Sequence, residues 1–198
     1  MLLALAGGVI FGYARGGRLA RLLRLPLRRN RLLLTAITLY VLGVLAGLVW
    51  QPLLGLLFGL AWLTIGFYAW INRAVQGMAL LAAGLAANGV VMLLNAAMPV
   101  SVAAVERAGA NASALLAPAE RTELGPDTLL PWLGKTVPVA FPPRPEVVSP
   151  GDVAVAAGLA LLVAAGMTGP RRSPDPEPPV AEHETMERAA EPESSVAH

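Results

Sequence analysis

From residue 32 to residue 97 the chain carries a single fully charged side chain, Arg73. That stretch divides into apolar runs at residues 32–50, 53–71 and about 78–97, and another follows at 152–168. A hydrocarbon core of about 30 Å is crossed by roughly 20 residues of helix, so uncharged runs of this length predict bilayer spans. A soluble all-α core is the competing fold. It would need charged faces to cover its helices, and soluble domains are about one quarter charged. Here 56% of residues are hydrophobic and 14% are charged, and the charge lies almost wholly outside the runs. The membrane reading wins.

A further apolar run, residues 1–14, opens the chain. At ~1.5 Å rise per residue it covers about 21 Å, so it spans only by standing upright, thinning the bilayer or continuing to about residue 19. A cleaved signal peptide would have basic residues before its apolar stretch. Here the basic residues follow, at 15–31, which favours a signal-anchor helix. Arg18, Arg21 and Arg24 recur every third residue with Leu19, Leu22 and Leu23 between them. A helix over this segment places arginines on one side and leucines on the other, until Pro26 stops it. Wedged between two apolar runs, it reads as a loop held at anionic head groups, with Arg18, Arg21, Arg24, Arg28 and Arg29 as contacts, and not as a nucleic-acid patch.

Runs two and three meet at Gln51-Pro52 with almost no room for a loop, which predicts a tight antiparallel hairpin. Trp50, Tyr68 and Trp70 fall where interfacial aromatics belong. The expected fold is an all-α integral membrane bundle of five transmembrane helices over residues 1–168. Its spans are approximately 1–19, 32–50, 53–71, 78–97 and 152–168. Orientation follows from the arginines. With the first loop inside, the cytoplasmic segments hold eleven basic residues and the outer segments four, so the N-terminus is outside and the C-terminus cytoplasmic. Residues 98–150 become a large outer loop with nine of the seventeen prolines. Within it, residues 101–109 suit a short helix with Val102, Val105 and Ala108 on one side, and the rest reads as ordered but irregular chain. Residues 169–198, rich in Pro, Glu and Ser, predict a disordered cytoplasmic tail. Fourteen of the fifteen basic residues are Arg, and with the heavy Ala, Leu, Gly and Pro usage this reads as the imprint of a GC-rich bacterial genome.

The chain has no cysteine, which excludes disulfides, thiolate nucleophiles and Cys-ligated metal sites. Its two histidines, His183 and His198, fall in the tail, so Glu182-His183-Glu184 reads as solvated residues and not as a site. No glycine-rich phosphate loop, H-E-x-x-H or paired catalytic carboxylate motif appears, and no cofactor is expected. No Asp, Glu, Lys or His is expected inside a span, with Asp152 or Ser149 only capping the start of the last one, so the bundle interior should carry no charge. Ion-coupled transporters normally carry such a group within the bilayer. Asn88 and Asn95, seven residues apart, share nearly one face of the fourth span. They suit either interhelical hydrogen bonds or a polar substrate path. Gly43 with Gly47, Gly55 with Gly59 and Gly84 with Asn88 have the spacing of close helix contacts.

The segments Arg15-Gly-Gly-Arg-Leu19, Asn95-Ala-Ala-Met-Pro-Val-Ser101, Pro126-Asp-Thr128, Trp132-Leu-Gly134 and Val148-Ser-Pro-Gly-Asp152 carry a resemblance. Over residues 1–168 the chain resembles an uncharacterised family of small bacterial multi-span membrane proteins, a domain of unknown function. It departs from that pattern at Ala96-Ala97, where glycines usually follow the asparagine, and at Lys135, where an acid is usual. The resemblance implies a multi-span fold with a large outer loop and no activity. The function expected is therefore that of a structural or interaction component of the bilayer. It would use no cofactor and would contact an unidentified membrane protein through the loop around Asp127 and Trp132. The alternative is a small permease or flippase-like component using Asn88 and Asn95. A membrane enzyme ranks third, since Glu106, Asp127 and Asp152 show no catalytic spacing.

Overall fold

The structure, a computed structural model, describes residues 2–141 and 145–168. The tail from residue 169, with His183 and His198, and the loop residues 142–144 lie outside the described residues. The described chain is mostly helical. Its five long helices are α1 (Leu2–Ala14), α2 (Arg31–Gly47), α3 (Gln51–Ile71), α4 (Met78–Asn95) and, after a small lobe that holds α5 (Val102–Arg107) and α6 (Ala112–Leu116), α7 (Pro150–Thr168). Helices α3, α4 and α7, of 21, 18 and 19 residues, are long and apolar enough to cross a membrane. Helices α1 and α2 are apolar but shorter, at 13 and 17 residues.

The first helix stops at Ala14 and does not run on to residue 19, for a local reason. Gly16 turns left-handed at φ +73°. The amide of Gly17 then donates to the Gly12 carbonyl at 2.8 Å, and that of Gly16 to Tyr13 at 2.9 Å. That paired closure satisfies the last carbonyls of the helix and ends it. Next comes a 3₁₀ turn over Leu19–Arg24, not an α-helix. With three residues per turn, Arg18, Arg21 and Arg24 fall along one edge. Leu22 and Leu25 approach Gly166 of α7, but Leu19 and Leu23 stay exposed, so the two-sided pattern is only half used. The Arg21 guanidinium donates from Nη1 to the Thr168 carbonyl at 2.8 Å, and the Arg18 amide to Met167 at 2.9 Å. The basic segment thus caps the C-terminal end of α7, where cations and donors are favoured.

The long helices stand in a row: α2 packs on α3, α3 on α4, α4 on α7 and α7 on α1. Glycines set these contacts. Gly43 and Gly47 of α2 receive Phe58 and Leu54, and at Gly55 a Cβ would overlap the Ala96 carbonyl. One buried cluster, with Tyr68, Met78, Leu81, Leu85 and Val155, fills the end near the basic segment. A second, with Leu54, Phe58, Val91, Met92 and Met98, fills the end near the lobe. The outward faces remain apolar: Ile10, Leu34, Ile37, Leu45, Phe67 and Leu161 are all at least half exposed. Leaving a side chain of this kind in water forgoes about 1.5–3 kcal/mol, and an apolar surface this extensive marks contact with lipid or protein.

The lobe between α4 and α7 is more regular than the irregular chain expected. Strand β1 (Met98–Val100) pairs in parallel with β2 (Arg121–Glu123), and β3 (Val137–Val139) pairs antiparallel with β4 (Glu146–Val148). The short helix expected over 101–109 is present as α5, with Ser101 as its cap and Ala104, Val105 and Ala108 buried. These residues, with Val100 and Val147, form a small core separate from that of the long helices.

Candidate functional site

The start of α7 builds the most polar interior point among the described residues. In Ser149-Pro-Gly-Asp152 the Ser149 Oγ accepts from the Asp152 amide at 2.9 Å, and the Asp152 carboxylate accepts from the Ser149 amide at 3.1 Å. Serine followed three residues later by an acid is a reciprocal cap, and proline between them suits the first helical position. The capping expected of Ser149 and Asp152 is thus shared by both.

Asn88, at mid-length on α4, reaches the same point. Its Nδ2 donates to Asp152 Oδ1 at 2.8 Å, and its Oδ1 accepts from the Ser149 hydroxyl at 2.8 Å. Gly151 makes this possible, because a Cβ there would collide with Asn88 Oδ1. The fourth member is Lys135, whose Nζ donates to Asp152 Oδ2 at 2.6 Å. Lys135 is held on the edge of β1 away from β2, opposite Val100: its amide donates to the Pro99 carbonyl at 2.8 Å, and its carbonyl accepts from the Ser101 amide at 2.9 Å. Both charged side chains are 14% exposed, and Ser149 and Asn88 are fully buried. The expectation of an interior without charge is therefore corrected: a closed ion pair lies where the lobe meets α4 and α7. The arrangement orders the chain but does not poise a nucleophile, since the Ser149 hydroxyl donates to an amide oxygen and faces no base.

Beside this cluster lies a cavity of about 420 Å³. Tyr40, Phe58, Trp62 and Met92 form an apolar wall, with Tyr40 stacked on Phe58 at 4.5 Å. The lobe contributes Glu120, Arg121, Lys135 and Glu146. At the far end of the helices Arg21 and Arg24 border a wider cavity of about 830 Å³ with Gln76 and Thr168.

The sequence candidates are distributed unevenly over this geometry. Asn88 borders the first cavity, but Asn95 does not. Asn95 Nδ2 donates to the Leu129 carbonyl at 2.9 Å while its Oδ1 accepts from the Leu129 amide at 2.8 Å. Asn72, just after α3, makes the same pair of bonds to the backbone of Arg28. Leu130 and Leu133 dock on the helices, whereas Leu129 and Trp132 point outward and Trp132 is 64% exposed. Asp127 is exposed in the turn closed by the Gly125 amide and the Thr128 hydroxyl. Arg18, Arg24, Arg28 and Arg29 are exposed. Ser149 and Asp152 were missed as partners of Asn88, and Lys135 as the partner of Asp152; only the serine-to-acid spacing gave any signal.

The model of a family of unknown function, DUF5317, matches residues 24–164. No curated protein and no solved structure matches the chain.

Proposed function

We propose that the chain, which belongs to the DUF5317 family of unknown function, is a multi-pass protein of the bacterial cell membrane that works as a structural or interaction component. Five helices cross, with the N-terminus outside and the C-terminus cytoplasmic. The carrying observation is a lobe with its own small core fastened to helices whose outward faces are apolar. The short α1 and α2 are accommodated by local thinning of the bilayer, which costs fractions of a kcal/mol per Å of mismatch. The orientation is supported by the concentration of arginines in the first loop. There Arg18, Arg24, Arg28 and Arg29 contact anionic head groups, at about 1 kcal/mol per basic residue, while Arg21 also holds the end of α7. Outside, the exposed edge with Asp127, Leu129 and Trp132 docks a membrane protein partner.

The cysteine-free background makes this testable. Single cysteines at Ser113 and Ser195 are labelled with an impermeant maleimide in intact cells; the first reacts, and reaction of the second without permeabilisation inverts the topology. For the interaction, a photo-crosslinking residue at position 132 gives a defined adduct that disappears when placed at 161 on α7. Equal yields at both positions, or no adduct, count against the docking edge. A second reading, a small permease or flippase-like component, is supported by Asn88 beside the cavity. It predicts that Asn88→Ala slows lipid or solute passage in reconstituted vesicles, and it fails if passage is unchanged.

A further inference from the structure

We propose that the 420 Å³ cavity under the lobe is a binding site for one zwitterionic phospholipid, its head among the lobe's charges and its chains against the aromatic wall. The inference rests on the reading of the long helices as bilayer-spanning. Its basis is that two chemistries meet in one cavity, with Asn88 and Asp152 of the helices beside the charges of the lobe. Tyr40, Phe58, Trp62 and Met92 line the side made by the helices, while Glu120, Arg121, Lys135 and Glu146 line the side made by the lobe. The volume falls within the range of small-molecule sites, about 300–1,000 Å³. It suits a head group with the first part of its chains, and a whole diacyl lipid must therefore extend out of the cavity. The wall allows this, because Tyr40 on α2 and Val153 on α7 are each about half exposed while α2 packs on α3 and α7 on α4 and α1.

The charges select the head. Two cations and two acids not committed to the cap face one space, together with the paired Asp152. Lys135 makes one hydrogen bond through Nζ among the described residues, to Asp152, and an ammonium has three donors. Arg121 spends Nη1 on the Leu115 carbonyl at 2.9 Å and keeps the rest of its guanidinium. These two cations meet a phosphodiester, and Glu120 with Glu146 meets an ammonium. An anionic head offers the same phosphodiester to the two cations but no ammonium to Glu120 and Glu146, so it is discriminated against.

The test is native mass spectrometry of the full chain in detergent, with equal amounts of phosphatidylethanolamine, phosphatidylglycerol and diacylglycerol added. One phosphatidylethanolamine is retained in preference to the others by about tenfold, the worth of one charge-assisted hydrogen bond. Ala156→Phe, which fills the cavity from α7, abolishes retention of the lipid. Glu120→Gln, on the half-buried rim of the lobe, leaves the fold intact and reduces the preference over phosphatidylglycerol several-fold. Equal retention of all three lipids, preference for phosphatidylglycerol, or retention unaffected by both substitutions overturns the proposal. Alkaline extraction of native membranes separates this from failure of the membrane reading: a chain released into the supernatant refutes spanning itself, whereas a chain that stays in the pellet yet retains no lipid refutes only the site.

Discussion

Asp152 grips Lys135 with one carboxylate oxygen at 2.6 Å and receives the Asn88 amide on the other at 2.8 Å. The two charged residues are unequal partners. Asp152 also accepts from the Ser149 amide, whereas Lys135 is tied through its side chain to Asp152 alone among the described residues. Removing one member of a buried pair costs about 3–5 kcal/mol when the other is left uncompensated. Lys135→Met leaves a carboxylate that still has two donors, so it falls at or below the low end of that range. Asp152→Ala strands a cation, removes the carboxylate half of the cap and leaves Asn88 Nδ2 without its acceptor, and falls at the high end. Thermal unfolding in detergent reads the difference. Equal destabilisation by the two substitutions would show that the cap and Asn88 contribute nothing beyond the ion pair.

Asn72 and Asn95 predict a matched pair of effects. Each accepts from the amide of one distant residue at 2.8 Å and donates to that residue's carbonyl, Arg28 for the first and Leu129 for the second. Each also donates to the carbonyl four residues back in its own helix. Asn72→Ala should raise hydrogen exchange at the Arg28 amide by about tenfold, from the loss of roughly 1–1.5 kcal/mol, and leave Leu129 untouched. Asn95→Ala should do the reverse. Acceleration at both sites in either variant would mean that the loops open together with the helices and are not pinned singly.

Long elements were legible in the sequence because length and the absence of charge are properties of a contiguous run. The expected spans 53–71, 78–97 and 152–168 coincide with α3, α4 and α7 to within two residues at each end. Helix α2 ends three residues before the expected position 50, where Trp50 turns extended to cap α3. The paired strands were not legible. Each has three residues, too few for a period-two pattern, and Pro99 and Pro138 at the centres of β1 and β3 argue against strands. Nor was the ion pair, because Lys135 and Asp152 are seventeen residues apart and are joined only when β1 holds the lysine backbone over the start of α7. Seven-residue spacing put Asn88 and Asn95 on one face. Their different partners come from the lobe, which folds around the end of α4 and reaches the two asparagines from separate segments.

Ala96 supplies a stabilising prediction. It ends α4 in the left-handed region at φ +56° and its carbonyl lies against Gly55, so the turn is fixed by the contact between α3 and α4. A residue with a Cβ pays about 1–2 kcal/mol in that conformation, and glycine does not. Ala96→Gly should raise the unfolding midpoint by about 2–4 °C for each kcal/mol recovered in a chain of this size. A lowered midpoint would mean that the greater freedom of glycine in the unfolded chain outweighs the strain.

Gly151 and Gly7 make opposite predictions for the same substitution. At Gly151 a Cβ would collide with Asn88 Oδ1 and stand 2.8 Å from the Gly84 carbonyl, which is backbone and cannot rotate away. Overpacking of this kind costs about 1–3 kcal/mol, and here the displaced amide also loses Ser149 and Asp152. At Gly7, midway along α1, a Cβ would meet nothing within 4 Å. Alanine there gains about 0.5–1 kcal/mol of helix propensity. Gly151→Ala should therefore destabilise the protein and weaken the lobe's attachment, read as faster proteolysis between residues 100 and 149, while Gly7→Ala is neutral or stabilising. If both behave alike, the close approach of α4 to α7 is not what holds Asn88 on Asp152.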